Sequence, residues 1–114
     1  MLPRLRKASS IVMPIPAGSG PLLSWTVQNE QQLYGYIVYR ADSEDGSMRR
    51  VSDSIIRTLS TQDGVHVEYY WRDTKAEPGH TYWYQIGTVN QRDIRGDLTG
   101  KVKKTYAPES ATAK

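Results

Sequence analysis

The sequence contains no cysteine, no phenylalanine and only two histidines among its 114 residues. Without cysteine the chain forms no disulfide and offers no thiolate for catalysis or metal binding. A Ser-His-Asp site needs a nucleophile, a base and an orienting acid in mutual contact. The strand pattern puts His66 on an outward strand face and His80 at a turn, so neither has such neighbours. We therefore predict surface histidines and no enzymatic activity.

Metal and cofactor motifs are lacking as well. The stretch Asp42–Ser47 is similar to a calcium loop, but with Gly46 in place the first and third ligand positions fall on Ala41 and Ser43. A hairpin turn is the better interpretation. No glycine motif of the phosphate-cradling kind occurs, and we expect neither a metal nor a cofactor.

Long apolar runs are absent. No stretch approaches the roughly 20 residues that a membrane span needs, and the basic start at 1–7 lacks the apolar segment of a secretory signal. The net charge of +3 belongs to the chain ends, because residues 11–100 carry 8 basic and 11 acidic residues. A nucleic-acid-binding domain should carry its basic residues on the folded body. We expect no transmembrane segment, no signal peptide and no specific nucleic-acid partner.

Alternating apolar and polar residues, separated by proline and glycine turns, fill most of the chain. This period is typical of half-buried strands, and many short strands at such spacing favour a sandwich. The length fits one domain, which we place at 10–106, between disordered segments at 1–9 and 107–114. The seven predicted strands cover residues 10–14, 21–27, 34–40, 48–54, 65–72, 80–90 and 99–106.

Five short motifs follow one another along the chain: Leu23-Ser24-Trp25, Gly35–Arg40, Asp73-Thr74, Pro78–Ile86 and a glycine-bearing loop at 90–97. In this order and spacing they resemble a fibronectin type III domain. The resemblance implies an all-β, immunoglobulin-like sandwich of seven antiparallel strands. The Asp-Thr pair before the Pro-Gly turn is similar to versions found in bacterial multidomain secreted proteins, which implies a secreted or cell-surface location.

The aromatic residues define the expected core. With 8 tyrosines, 3 tryptophans and no phenylalanine, each large aromatic ring carries a polar group that needs a partner when it is buried. The resemblance puts Trp25 between the sheets and makes Tyr82 a corner tyrosine, whose hydroxyl bonds to the backbone of the 75–79 connection. The predicted core consists of Trp25, Tyr36, Val38, Tyr82, Tyr84 and Ile86.

A first candidate binding surface lies on the face of the strands 34–40 and 80–90 that points away from the predicted core. Ile37, Tyr39 and Trp83 are larger and more apolar than a solvated face requires, and exposed aromatic clusters mark contacts with proteins or carbohydrates. The alternative is that long neighbours such as Arg40 and Gln85 cover them.

A second candidate is the tripeptide Arg95-Gly96-Asp97, in the loop predicted between the sixth and seventh strands. Fibronectin-like domains that bind integrins present this tripeptide on that loop, although a chance match in such a chain is expected about one time in a hundred.

The main prediction is a non-catalytic interaction or spacer module of a bacterial surface or secreted system. The alternative is a cell-adhesion domain that presents the tripeptide to an integrin-type receptor.

Overall fold

A computed structural model of the protein describes residues 10–28, 30, 32–59, 65–92 and 94–107. Every regular element in these residues is a β-strand, and none of them forms a helix that could cross a membrane. The segments predicted to be disordered, 1–9 and all but the first residue of 107–114, lie outside the described residues. The strands are β1 (Ser10–Val12), β2 (Leu22–Gln28), β3 (Leu33–Ala41), β4 (Arg49–Arg50), β5 (Ile56–Arg57), β6 (His66–Arg72), β7 (Thr81–Asn90), β8 (Arg95–Asp97) and β9 (Val102–Thr105).

The strands form two open sheets that face each other across one core. The small sheet has the order β1-β6-β2. The large sheet has β3 and β7 at its centre, with β4 and β5 along the outer edge of β3 and β8 and β9 along the outer edge of β7. The predicted all-β sandwich architecture is therefore confirmed, although the described residues form nine strands where seven were predicted.

The predicted fourth strand, 48–54, is wrong in its extent. Only β4 pairs regularly there, because the amides of Val51 and Ser52 both donate to the carbonyl of Val38, at 2.9 and 3.4 Å. The Ser52 hydroxyl then accepts a hydrogen bond from the Val38 amide at 3.1 Å. The Ser52 side chain thus replaces the backbone carbonyl that would otherwise accept from Val38, and regular pairing with β3 resumes only at β5.

The core confirms the strand phase read from the sequence. All six predicted core residues are buried, and the two sheets meet at Trp25, whose ring lies 5.6 Å from that of Tyr36 and 5.7 Å from that of Tyr69. Tyr36 comes from the large sheet, and Tyr69 belongs to the small sheet beside Trp25. The aromatic cluster therefore ties the two sheets together.

The predicted tyrosine corner is present. The hydroxyl of Tyr82 accepts a hydrogen bond from the Glu77 amide at 3.0 Å. Gly79 has a φ of 87° at the turn into β7, a conformation that glycine adopts without steric cost. This contact fixes the connection between the two sheets.

The first strand departs from the prediction of a fully antiparallel sandwich, because β1 pairs with β6 in parallel. The reason lies in the segment that follows it. Arg72 at the end of β6 donates hydrogen bonds to the carbonyls of Pro16 and Gly20, at 3.0 and 2.8 Å. The chain therefore passes around the end of β6, which puts β1 and β2 on opposite sides of that strand.

Candidate functional site

The candidate site lies on the face of the large sheet that points away from the core. Side chains alternate along a strand, so the odd-numbered residues of β3 and β7 share this face. The register pairs Tyr39 with Gln85 and Ile37 with Gly87, and Trp83 lies one row beyond Gln85. The three residues of the predicted patch therefore do share one face.

Ile37 is not part of an exposed surface, which corrects the prediction for this residue. Its side chain has 0% exposure. Its neighbours on the same face, Gly35 and Gly87, have no side chain, and the space over them is taken by Ile55 and by the ring of Tyr39 respectively. These two side chains close over the middle of the sheet, so Ile37 belongs to an apolar layer beneath the surface.

Tyr39 and Trp83 remain partly accessible. The Lys103 ammonium lies 5.7 Å from the centre of the Trp83 ring, within the range of a cation–π contact. Lys103 is the cross-strand neighbour of Trp83 on β9. The aromatic part of the predicted surface therefore consists of two rings, one of them flanked by a cation.

Arg95, Gly96 and Asp97 form strand β8, so the prediction that they occupy a loop is wrong. The cause is Asn90, whose side-chain oxygen accepts hydrogen bonds from the amides of Arg92 and Ile94, at 2.8 and 2.9 Å. The Asn90 amide also donates to the Ile94 carbonyl at 3.0 Å. These bonds form a tight turn after β7, so the returning chain already pairs regularly with β7 from Arg95 onward.

The structure brings the two predicted sites together. Arg95 and Asp97 pair with Val89 and Gly87, odd-numbered residues of β7, and so share the outer face with Tyr39. They line one open depression of about 350 Å³ on this face. Its lining consists of Tyr39, Met48, Gln85, Arg95, Gly96 and Asp97.

The side chains of the depression are of the kinds that bind a ligand. It offers a guanidinium, a carboxylate, an amide, a phenol and a thioether, whereas the two histidines lie elsewhere. His66 and His80 are both exposed, as predicted. In the part of the chain that the structure describes, no three histidine, aspartate or glutamate side chains converge as metal ligands would. These side chains offer a ligand hydrogen bonds, ionic contacts and apolar contacts.

A buried carboxylate that the sequence reading missed lies in the core. Glu30 has 0% exposure and accepts hydrogen bonds from the hydroxyls of Tyr36, at 2.8 Å, and Tyr69. Burial first, and the bond to Glu30 second, raise the pKa of both tyrosines above its ordinary value. Because a carboxylate only accepts hydrogen bonds, it suits two hydroxyl donors. Glu30 is therefore a structural residue.

Asp73 is a second buried carboxylate. It accepts hydrogen bonds from the Arg40 guanidinium at 2.8 Å, the Tyr84 hydroxyl at 2.6 Å and the Lys75 amide at 3.1 Å. Burial and the bond to Asp73 raise the pKa of Tyr84. Burial alone would lower the pKa of Arg40, but the bond and the charge of Asp73 outweigh it and raise the pKa. Asp73, at the end of the small sheet, is therefore linked to the large sheet by its ion pair with Arg40.

A basic cavity of about 250 Å³ adjoins this ion pair, lined among others by Arg40, Arg49, Arg50 and Lys75. Most of its cations already have protein partners. Arg40 is bonded to Asp73, Lys75 to Asp53, and Arg50 to the carbonyl of Ser52 at 2.9 Å. We interpret this cluster as part of the ion network of the fold, and the outer-face depression as the better candidate site.

Neither the models of known protein families nor the curated proteins include a match to this chain.

Proposed function

We propose that the chain is an immunoglobulin-like domain of the fibronectin type III kind, and that it acts as a non-catalytic protein-interaction module of a secreted or cell-surface system. The Tyr82 corner and the central Trp25 support the fold proposal, as does the division of strands, with β2 and β6 in one sheet and β3 and β7 in the other. The first strand differs from the immunoglobulin order, in which it lies beside the second.

The proposed binding surface is the outer-face depression together with Trp83. The observation that carries it is that two independently predicted elements, the aromatic pair and the charged tripeptide, line one face of the large sheet. Tyrosine, tryptophan, arginine and methionine are the residues enriched in protein interfaces. Both central strands are long and paired on both sides, so the surface is preorganised.

The chemistry of the depression favours a protein segment as its occupant. Arg95 and Asp97 place opposite charges two residues apart on one strand face, and Gln85 adds an amide. A partner that offers an acidic and a basic side chain at matching positions would be complementary to this charge pattern, which would fix its orientation. Tyr39 and Met48, in the same depression, supply its apolar contact surface.

The strand conformation of the tripeptide favours this role over integrin-type adhesion. The backbone of β8 is held in the ladder with β7, so Arg95 and Asp97 form a wall of the depression and do not stand at the tip of a projecting loop. Arg95 and Asp97 would therefore contribute to binding through their side chains, and Gly96 between them is not needed to form a turn.

The test is affinity capture from the native organism with the immobilised domain, followed by identification of the bound proteins. Trp83→Ala and Arg95→Ala should each weaken capture of the same specific protein by about tenfold or more, the loss typical of an interface hot spot. Tyr70→Ala is the matched control, because Tyr70 lies on the small sheet, with an exposure similar to that of Trp83. Identical capture by all four proteins would refute the proposed surface.

Asp97→Glu separates the proposal from adhesion. It keeps the charge in the depression but lengthens the side chain by one methylene, which a receptor metal site should not tolerate. We expect protein capture to fall by only a few-fold. Adhesion would instead be supported if integrin-bearing cells attached to the domain, if Asp97→Glu abolished this attachment, and if Trp83→Ala had no effect on it.

A further inference from the structure

Strand β2 is an unprotected edge of the small sheet. It pairs with β6 through all seven residues, Leu22–Gln28, and no other strand of the described residues lies on its other side. Over the described part of the chain, the backbone of β2 forms hydrogen bonds with β6 alone. A row of amide and carbonyl groups along this edge is therefore available for another strand.

The composition of β2 differs from that of the other edges. Proteins protect edge strands by making them short or by adding charges, prolines or bulges. The first strand is three residues long and is followed by Pro14 and Pro16, and β9 is four residues long and carries Lys103 and Lys104. The segments β4, β5 and β8 have two or three residues and contain arginine. In contrast, β2 has seven residues, no charge, no proline and an unbroken register.

The edge of β2 also adjoins an opening into the core. A groove of about 100 Å³ lies between β2 and the large sheet, and its floor includes Leu23, Tyr84, Ile86 and Val102. Among the described residues that line it, Lys104 alone is charged. A strand added to β2 would cover this groove, so association would bury apolar surface in addition to forming backbone hydrogen bonds.

We propose that the β2 edge binds the β2 edge of a second copy of this chain, in an antiparallel pair about a two-fold axis at Trp25. Only this register pairs all seven residues of one copy with all seven of the other. It puts Leu23 opposite Val27 of the second copy, and Ser24 opposite Thr26. Apolar pairs and hydroxyl pairs are both favourable across strands, and no like charges meet.

This self-complementarity selects a second copy over an unrelated strand. A two-fold interface requires that the same surface serve both partners. The sequence of β2 satisfies this, because hydroxyl residues lie one position and apolar residues two positions on either side of Trp25. The dimer has one continuous six-stranded sheet. The outer faces of both large sheets stay uncovered, so the inference does not depend on the proposed function.

The test compares two double variants at the same positions. Ser24 and Thr26 are exposed, so charges there should leave the fold intact. In the proposed register the S24K/T26K variant sets like charges opposite each other in two cross-strand pairs, whereas S24E/T26K sets opposite charges in the same two pairs. The variants carry charge at the same sites and differ chiefly in how those charges meet across the dimer.

Sedimentation equilibrium over a micromolar to millimolar range should show that the wild type forms a dimer. S24K/T26K should raise the dimer dissociation constant by about tenfold or more, and S24E/T26K should stay within about threefold of the wild type, as expected from cross-strand charge pairs. Thermal unfolding of both variants checks that they are folded. A wild type that stays monomeric, larger aggregates without a discrete dimer, or equal weakening by both variants would overturn the proposal.

Amide hydrogen exchange gives a second readout that needs no variant. The outward amides of β2 should exchange more slowly at high than at low protein concentration, because pairing protects them, whereas those of β9 should not change. Concentration-independent exchange in β2 would also overturn the proposal.

Discussion

Raising the pH above about 10 should progressively destabilise this domain, because three buried tyrosines then favour the unfolded chain. Burial, followed by bonds to Glu30, raises the pKa of Tyr36 and Tyr69, and burial with a bond to Asp73 raises that of Tyr84. In the unfolded chain these groups lose a proton near pH 10. Their contribution to stability is therefore complete below pH 10 and is lost as the pH rises from there toward the folded pKa values.

The size of the effect follows from the number of tyrosines. Each one lowers the free energy of unfolding by about 1.4 kcal/mol for every pH unit above 10, so three lower it by about 4 kcal/mol per unit. A domain of this size is stable by about 5–15 kcal/mol. We expect the loss of most of this stability between about pH 11 and pH 13.

The assay is urea unfolding at a series of pH values from about 8 to 12, followed by tryptophan fluorescence. The free energy of unfolding should be nearly flat up to about pH 9.5 and then fall steeply. Tyr36→Phe, Tyr69→Phe and Tyr84→Phe should each reduce the slope by about a third. A wild-type slope below that of one tyrosine, or phenylalanine variants that parallel the wild type, would refute the reasoning.

Three further predictions concern stability and are measured by chemical denaturation. Trp25→Ala should cost about 3–5 kcal/mol, because it empties the contact between the sheets, and a folded variant with wild-type stability would contradict the assigned core. Tyr82→Phe should cost about 0.5–1.5 kcal/mol, since the Glu77 amide loses its acceptor, and an unchanged midpoint would argue against the corner. Arg40→Met should cost about 3 kcal/mol by leaving Asp73 buried without its cation, and a stabilised variant would show that the ion pair is dispensable.

The core and the inward-facing phase of the strands could be predicted because their signals are local. A period of two in β3, β6 and β7 fixes which side chains face inward, and Pro78-Gly79 followed by Tyr82 marks the corner without knowledge of any distant residue. These features depend on neighbours in the sequence, and the structure confirms them.

The partner of β1, the extent of β8 and the burial of Ile37 depend on contacts that no local pattern encodes. The position of β1 follows from Arg72, which bonds to carbonyls more than 50 positions earlier in the chain. Strand β8 starts early because of one side chain, that of Asn90. Ile37 is covered because Gly35 and Gly87 leave space for other residues to lie over the sheet.

The two buried carboxylates were missed although composition contained a signal for them. With many tyrosines and no phenylalanine, a tyrosine-rich core brings hydroxyl donors into the interior, and each buried donor needs an acceptor. Carboxylates are suitable acceptors. Glu30 lies in a polar stretch that is typical of a surface turn, so only the fold shows that it points inward.

Together these carboxylates explain how a thin sandwich keeps its sheets aligned. Glu30 follows β2 and Asp73 follows β6, and since these strands are antiparallel, the two residues lie at opposite ends of the small sheet. Each bonds to residues of the large sheet, Glu30 to Tyr36 and Asp73 to Arg40 and Tyr84. Because directional bonds hold both ends, the sheets resist sliding against each other.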